Sequence, residues 1–214
     1  MSATTVMQLI RELRSPDNES VLKAVEELRE RGQLTNGALI YASLWHVHLQ
    51  GANLHGADLR KASVCRANLQ DADLTQAHLQ GAKLRGANLY GADLAGADLL
   101  DADLHQANLN RCQNLVDSQL TRVQRLQAAT MPDGSRYDGC FNLPGDITFA
   151  RMGGRNTGDA RSMAEFYGVS VDEYKSGQRR MREDIPDGLV DRTNRPFSVI
   201  RPIGRAAGNR PKVA

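Results

Sequence analysis

The sequence predicts an all-β solenoid: short extended pieces joined by tight corners and wound into square coils. Three observations carry this expectation. An Ala and a Leu two residues apart return every five residues, as in ANLYGADLAGADLLDADLHQANL from Ala87 to Leu109. A helix repeats near 3.6 residues and a strand at 2, so a period of five fits neither as a continuous element. Gly51, Gly56, Gly81, Gly86, Gly91 and Gly96 recur at the block boundaries, where a tight corner tolerates glycine well. Aromatic residues make up only 5% of the 214, so the core must be packed from small aliphatic side chains.

Within a block, Ala and Leu point the same way and the residue between them points out. If each block turns the chain through about a right angle, four blocks close one coil. Coils then stack at about the strand spacing, ~4.8 Å, and each packs only on its neighbours. Leu49, Leu54, Leu59, Leu69, Leu74, Leu79, Leu84, Leu89, Leu94, Leu99 and Leu104 are expected to fill the lumen, with Val64 in the same role. The partner alanines, Ala52 to Ala107, face in where only a methyl fits. A helical bundle would need apolar residues at spacings of three and four, and these are absent here.

The blocks ANLHG, ADLRK, ANLQD, ADLTQ, ANLYG, ADLAG and ADLHQ resemble the pentapeptide-repeat family. The resemblance covers residues 37–111, under four coils, and implies a right-handed quadrilateral parallel β-helix. It points to bacterial members of uncharacterised function. Some members of the family protect DNA gyrase from quinolones, or inhibit it, by resembling DNA. Those rods are long and strongly acidic and dimerise through a C-terminal helix. This chain departs from them: Val47 to Arg111 holds seven acidic residues (Asp58, Asp71, Asp73, Asp93, Asp98, Asp101, Asp103) and six basic ones (Arg60, Lys61, Arg66, Lys83, Arg85, Arg111). A mimic of the duplex needs a dense line of negative charge.

The flanks read differently. Residues 1–36 form a helical N-terminal cap. In SPDNESVLKAVEELRERG, Ser15 or Ser20 is the expected N-cap, Val21, Leu22, Val25 and Leu28 make one face, and Gly32 ends the helix. Val6 to Leu13 carries a similar face. Covering the ends is required because an open solenoid exposes edge strands and apolar lumen. Residues 112–130 read as a helical C-terminal cap, with Leu120, Val123 and Leu126 three apart and Asp117 as N-cap. Residues 131–184 read as a turn-rich lead-out over MPDGSRYDGCFNLPGD, then a helix pair, Asp159 to Tyr167 and Ser170 to Arg182. Ser170 with Glu173 forms a capping-box pair. The junction Ala164 to Ser170 resembles the bend of a helix-turn-helix DNA binder, with Arg179, Arg180 and Arg182 following. Against that resemblance, no third helix is evident and Tyr174 is bulky where a small aliphatic residue packs.

Residues 185–214 form a basic, Pro-containing tail. From Arg192 onward it carries Arg192, Arg195, Arg201, Arg205, Arg210 and Lys212, three prolines and no acidic residue. Such a composition suits a solvated, disordered tail; the sharper alternative is a docking segment, with Phe197, Val199, Ile200 and Ile203 as apolar anchors between the charges, suited to a protein groove. The partner-binding candidates are therefore Arg192, Arg195, Phe197, Ile200, Arg201, Ile203, Arg205, Arg210 and Lys212.

Stacking sorts the outward residues into columns twenty apart. Asp58, His78 and Asp98 form one, which reads as a stabilising polar ladder, with the alternative that a histidine between two carboxylates favours its charged form. Trp45, Cys65, Arg85 and His105 form another, but Cys65 and His105 lie two coils apart, too far to react together. His48, Asn68, Asn88 and Asn108, beside Gln50, Gln70, Tyr90 and Asn110, make a flat amide-rich face. It reads as a structural ladder or a contact surface for a partner. His46 and His48 near Trp45 lack the further ligands a zinc site needs. With no phosphate loop, zinc-finger spacing or nucleophile elbow, the chain reads as non-enzymatic, with no cofactor and no metal.

The net charge of +2 gives no global field for nucleic acid. No apolar run approaches a membrane span, and the N-terminus has charges within its apolar pattern, unlike a signal peptide. Three widely spaced cysteines, Cys65, Cys112 and Cys140, suit reduced thiols and a cytoplasmic location. The expected function is a protein-interaction or scaffold module, part of a larger assembly; the alternative is a nucleic-acid-related role through the helix pair and tail, or through mimicry.

Overall fold

The structure, a computed structural model, describes residues 5–183. Its centre is a parallel β-solenoid in which each face contributes a single bridging residue to each coil. The bridges define four columns: Ser43–Ser63–Lys83–Asp103–Arg125, His48–Asn68–Asn88–Asn108–Thr130, Asn53–Asp73–Asp93–Gln113, and Asp58–His78–Asp98. The backbone repeats the same pattern at every face: Leu84 N donates to Asp103 O at 2.8 Å and Lys83 N to Ala62 O at 2.9 Å. All the leucines expected in the lumen, and Val64, are buried, as are the partner alanines from Ala52 to Ala107.

Two local rules explain the AxL block. The residue between Ala and Leu is usually Asn or Asp because its side-chain oxygen accepts the backbone N–H two residues on. Asn68 Oδ1 takes Gln70 N (3.2 Å), Asp98 Oδ1 takes Leu100 N (3.0 Å) and Asp103 Oδ1 takes His105 N (3.1 Å). This Asx turn satisfies the corner from the outside of the coil. The residue before each Ala sits at positive φ, whether glycine (Gly96, φ 65°) or not (Gln76, φ 57°). A non-glycine residue there bears a cost of ~1 kcal/mol. Gln76→Gly is therefore expected to stabilise the fold by about 0.5–1 kcal/mol. Chemical denaturation is the check, and a lowered midpoint would contradict this account of the corners.

The N-terminal helices are α1 (Val6–Glu12) and α2 (Asn18–Glu30). Asp17, rather than Ser15 or Ser20, caps α2: its carboxylate accepts from Ser20 N at 2.9 Å. The inward face of α2 is Val21, Ala24, Val25 and Leu28, with Leu22 only partly buried. The connection after α1 and the start of α2 are tied to the first coil, Arg14 Nε donating to Ser43 O (3.0 Å) and Asn18 Nδ2 to Gln50 O (3.2 Å). The repeat also starts earlier than residue 37: Leu34 is already buried in phase with Leu39, and its carbonyl accepts from Asp58 N at 2.7 Å.

Residues 112–130 correct the sequence reading. They are not a helical cap but most of another coil. Gln113, Arg125 and Thr130 bridge to Asp93, Asp103 and Asn108. Leu120, Val123 and Leu126 are buried because they face the solenoid interior. Only one turn is helical, α3 (Asp117–Leu120), whose N-cap is Val116 rather than Asp117. The register steps by 22 at the last two bridges instead of 20, so this turn inserts two residues at one face. A spacing of three in so short a segment matches a corner insertion as well as a helix.

Beyond the coils, Met131 to Arg136 form a tight hairpin, with Met131 N donating to Ser135 O at 2.7 Å. Three helices follow: α4 (Pro144–Met152), α5 (Ala160–Tyr167) and α6 (Val171–Glu183). α4 replaces the expected end of the lead-out and supplies the third helix that the sequence reading lacked. Pro144 at its first turn and Asp146 just after are helix-start signals. Ser170 and Glu173 make the reciprocal capping bonds at α6, at 3.1 and 2.7 Å. Aromatic residues concentrate here. Tyr137 stacks on Phe141 and meets Tyr167 edge-on, and Tyr167 stacks on Tyr174. This small aromatic core joins α5 and α6 to the 137–141 segment, while Phe149 of α4 meets Phe166 of α5 and His105 of the solenoid edge-on, in contrast to the aliphatic lumen.

Candidate functional site

The outer faces are engaged largely with themselves. On the amide face, Asn108 Nδ2 donates to Asn88 Oδ1 (3.0 Å), Asn88 Nδ2 to Asn68 Oδ1 (3.1 Å), and Asn68 Nδ2 to Gln50 Oε1 (3.4 Å). The same oxygens accept Gln70 N and Tyr90 N. The geometry thus brings Gln50, Asn68, Asn88 and Asn108 into one ladder, with Gln70 and Tyr90 alongside. Arg111 lies over the Tyr90 ring, 5.6 Å from its centroid.

In the Asp58–His78–Asp98 column the histidine is exposed, and neither carboxylate is held by it. Asp58 is bonded bidentately by Arg60 (2.8 and 2.7 Å), which holds its carboxyl below the ordinary range, and Asp98 accepts from Gln80 Nε2 (2.7 Å). The expected His-centred pairing is therefore replaced by shorter-range partners that reach each carboxylate first. In the other column, Cys65 Sγ lies 3.5 Å from Lys83 O. His105 is buried against Phe149, ring centroids 6.0 Å apart. Burial, with Arg125 and Arg85 nearby, lowers the His105 pKa and keeps it neutral. Cys112 donates to Leu89 O (3.0 Å), and burial pushes its thiol up to about 12. Among the described residues, no three His, Cys, Asp or Glu side chains are placed to share a metal ion.

Two features at the C-terminal end were not anticipated. The first is Asp146, a fully buried carboxylate whose oxygens accept Leu126 N (3.3 Å) and Gln127 N (3.1 Å), pinning the start of α4 to the last coil. Desolvation raises its pKa to about 7. The second is an open groove of about 1620 Å³ between the Ala95–Asp101 face, the 114–125 segment and α4. Leu100, Phe149 and Met152 stand exposed along it. Sequence reading missed it because it arises where one face of the solenoid stops short.

On α6, Gln178 donates to Gly139 O (2.8 Å) and Arg180 pairs with Asp138. One side of the helix is thereby committed to the 138–142 turn, and its first turn presents Asp172 and Glu173 to solvent. The tail candidates, Arg192, Arg195, Phe197, Ile200, Arg201, Ile203, Arg205, Arg210 and Lys212, lie outside the described residues.

Residues 33–64, 72–111 and 87–123 match the model of the pentapeptide repeats. No curated protein matches the chain. Among solved structures, a pentapeptide repeat protein from the Arabidopsis thaliana thylakoid lumen is 36% identical over 38% of this chain and 55% of its own, with a TM-score of 0.33. HetL, a pentapeptide repeat protein from Nostoc involved in heterocyst differentiation regulation, is 28% identical over 45% of this chain and 60% of its own, with a TM-score of 0.19. A second pentapeptide repeat protein from Nostoc is 27% identical over 51% of this chain and 74% of its own, with a TM-score of 0.22. The chain spans little more than half the length of the first two. The five-residue period, the bridge register and the matched repeats agree: residues 33–64 and 72–123 of this chain carry pentapeptide repeats wound as a parallel β-solenoid.

Proposed function

We propose that the protein is a non-enzymatic interaction or scaffold module of the cytoplasm. The observation that carries this reading is the state of its polar groups. The side chains that stack on the amide face bond to one another or to their own backbone. The buried thiol of Cys112 is held protonated and His105 neutral, so neither is poised to attack or to transfer a proton near neutral pH. What such a rod offers is rigid surface. Helices α1 and α2 cover its N-terminal end and the α4–α6 region all but one face of its C-terminal end, which limits pairing of the coil edges with other chains. The basic tail from Arg192, with Phe197, Ile200 and Ile203 as anchors, is the proposed docking element toward a larger assembly.

No helix among the described residues is long and apolar enough to cross a membrane. The near balance of charge along the coils and the acidic first turn of α6 speak against a duplex mimic and against base readout by α6. Accordingly, excess protein is expected to leave gyrase supercoiling unchanged and a duplex DNA band unshifted at low salt.

The deciding experiment is an affinity capture from native lysate, read by mass spectrometry, with the full chain and with a chain ending at Leu189. A protein partner held by the first and lost by the second supports docking through the tail. Salt-sensitive recovery of nucleic acid alone would replace this reading with the nucleic-acid role.

A further inference from the structure

One face of the solenoid lacks its last rung. The Ser43, His48 and Asn53 columns each gain a member after Arg111, namely Arg125, Thr130 and Gln113, whereas the fourth column stops at Asp98. Bonding to the next coil is intact on either side of the gap: Leu94 N donates to Gln113 O (3.0 Å) and Asp101 N to Arg122 O (2.9 Å). Between them α3 swings out. Gln119 reaches back, its Nε2 donating to Leu94 O and Ala97 O (2.9 and 2.8 Å), and so covers two carbonyls. The N–H groups of Gly96 and Leu99, whose counterparts at Gly56, Leu59, Gln76 and Leu79 donate to the next coil, have no acceptor among the described residues. Both residues line the groove, and the exposed Leu100, Phe149 and Met152 flank them. Unpaired strand donors between apolar side chains are the features that an added extended segment satisfies. The groove, at about 1620 Å³, also exceeds the ~300–1,000 Å³ of small-molecule pockets.

We propose that the protein's own C-terminal segment, Arg195 to Ile203, lies in this groove as the missing rung, paired with Gly96 and Leu99 and seated on Leu100, Phe149 and Met152. Three arguments choose this occupant. The chain continues past Glu183, and the stretch to Phe197 can span ~45 Å when extended, enough to cross a domain of this size. Tethering gives the segment an effective concentration near millimolar, which no free partner matches. Its chemistry fits: Pro196 and Pro202 favour an extended backbone, and Phe197, Val199, Ile200 and Ile203 supply apolar side chains to match Leu100, Phe149 and Met152, in a groove whose lining balances Asp98 and Asp101 with Arg122 and Arg125. The groove and a docking partner then compete for the same tail, so partner binding would uncover the coil edge. The inference stands whether or not the scaffold reading holds, because its test needs no partner.

The test is residue-resolved amide hydrogen exchange on the full chain, wild type against a Phe197→Asp, Ile200→Asp double variant. The amides of Gly96 and Leu99 are expected to exchange at least tenfold faster in the variant, while Leu79, bonded to Asp98 O within the solenoid, stays unchanged. Met152→Lys, at an 81% exposed position that the fold does not need, is expected to speed the same two amides. Equal exchange in wild type and variant overturns the proposal. Protection that disappears on tenfold dilution also overturns it, because the occupant is then a second copy.

Discussion

Ala92→Phe is expected to lower stability by at least ~1–3 kcal/mol, the cost of forcing extra volume into a packed interior. Ala92 is fully buried, and its backbone is held on both sides: Ala92 N donates to Leu89 O (3.0 Å) and Gln113 N to Ala92 O (2.8 Å). A globular core relieves overpacking by shifting an element. A coil cannot, because moving one rung breaks its bonds to the rungs above and below. For a protein of this size that stability loss is a drop in melting temperature of roughly 3–10 °C. His78→Phe, on an exposed position of the same solenoid, is expected to stay within about 0.5 kcal/mol. Thermal melts of the two side by side decide it; an unchanged melt for Ala92→Phe would remove Ala92 from the lumen.

Asp146 makes stability depend on pH. Its folded pKa is raised to about 7, above the ~3.9 of an unfolded carboxyl, so folding favours the protonated form. The stabilisation is fully present below about pH 4 and is lost as pH rises through about 7. The three-unit shift corresponds to as much as ~4 kcal/mol, an upper bound. Asp146→Asn keeps an oxygen for Gln127 N, sets an NH2 opposite Leu126 N and cannot ionise. The variant is therefore expected to fall below wild type near pH 4, for the lost bond, and to gain on it by up to ~4 kcal/mol between pH 4 and pH 8. His105 works in the opposite direction: burial depresses its pKa, so its contribution is present above ~6.5 and lost as pH falls. Because His105 is common to both proteins, the difference between their pH profiles isolates Asp146. Denaturation curves from pH 4 to 8 measure it, and parallel profiles would show that Asp146 titrates normally. The groups acting on this carboxyl are the two N–H donors, Arg125 and Asp103, so Arg125 is the residue whose loss should raise its pKa further.

Much of this molecule was legible in the amino-acid order. A period of five admits one repeated geometry, so Leu54, Leu74 and Leu94 could be placed inside and Asn68, Asn88 and Asn108 on one outer face before any coordinate was known. Within such a solenoid each contact is local or lies one coil away, so the repeat itself encodes the tertiary structure. The capping box at Ser170 and Glu173 was readable for the same reason: both partners lie within one turn.

What lay beyond the repeat was decided by tertiary structure. Residues 112–130 carry a helix-like spacing, yet pairing with Asp93, Asp103 and Asn108 draws them into the coil. The two-residue insertion at α3 leaves one face without its last rung, and no local pattern announces that loss. Asp146 looks like an ordinary helix-start residue; only the last coil packed against it removes it from water and turns its carboxyl into a group that titrates near neutrality. The sequence by itself determined the coil, its lumen and its ladders, because their energetics repeat every five residues. The groove and the buried carboxylate were left to the tertiary structure, because each depends on where the repeat ends and on what the chain lays over that end.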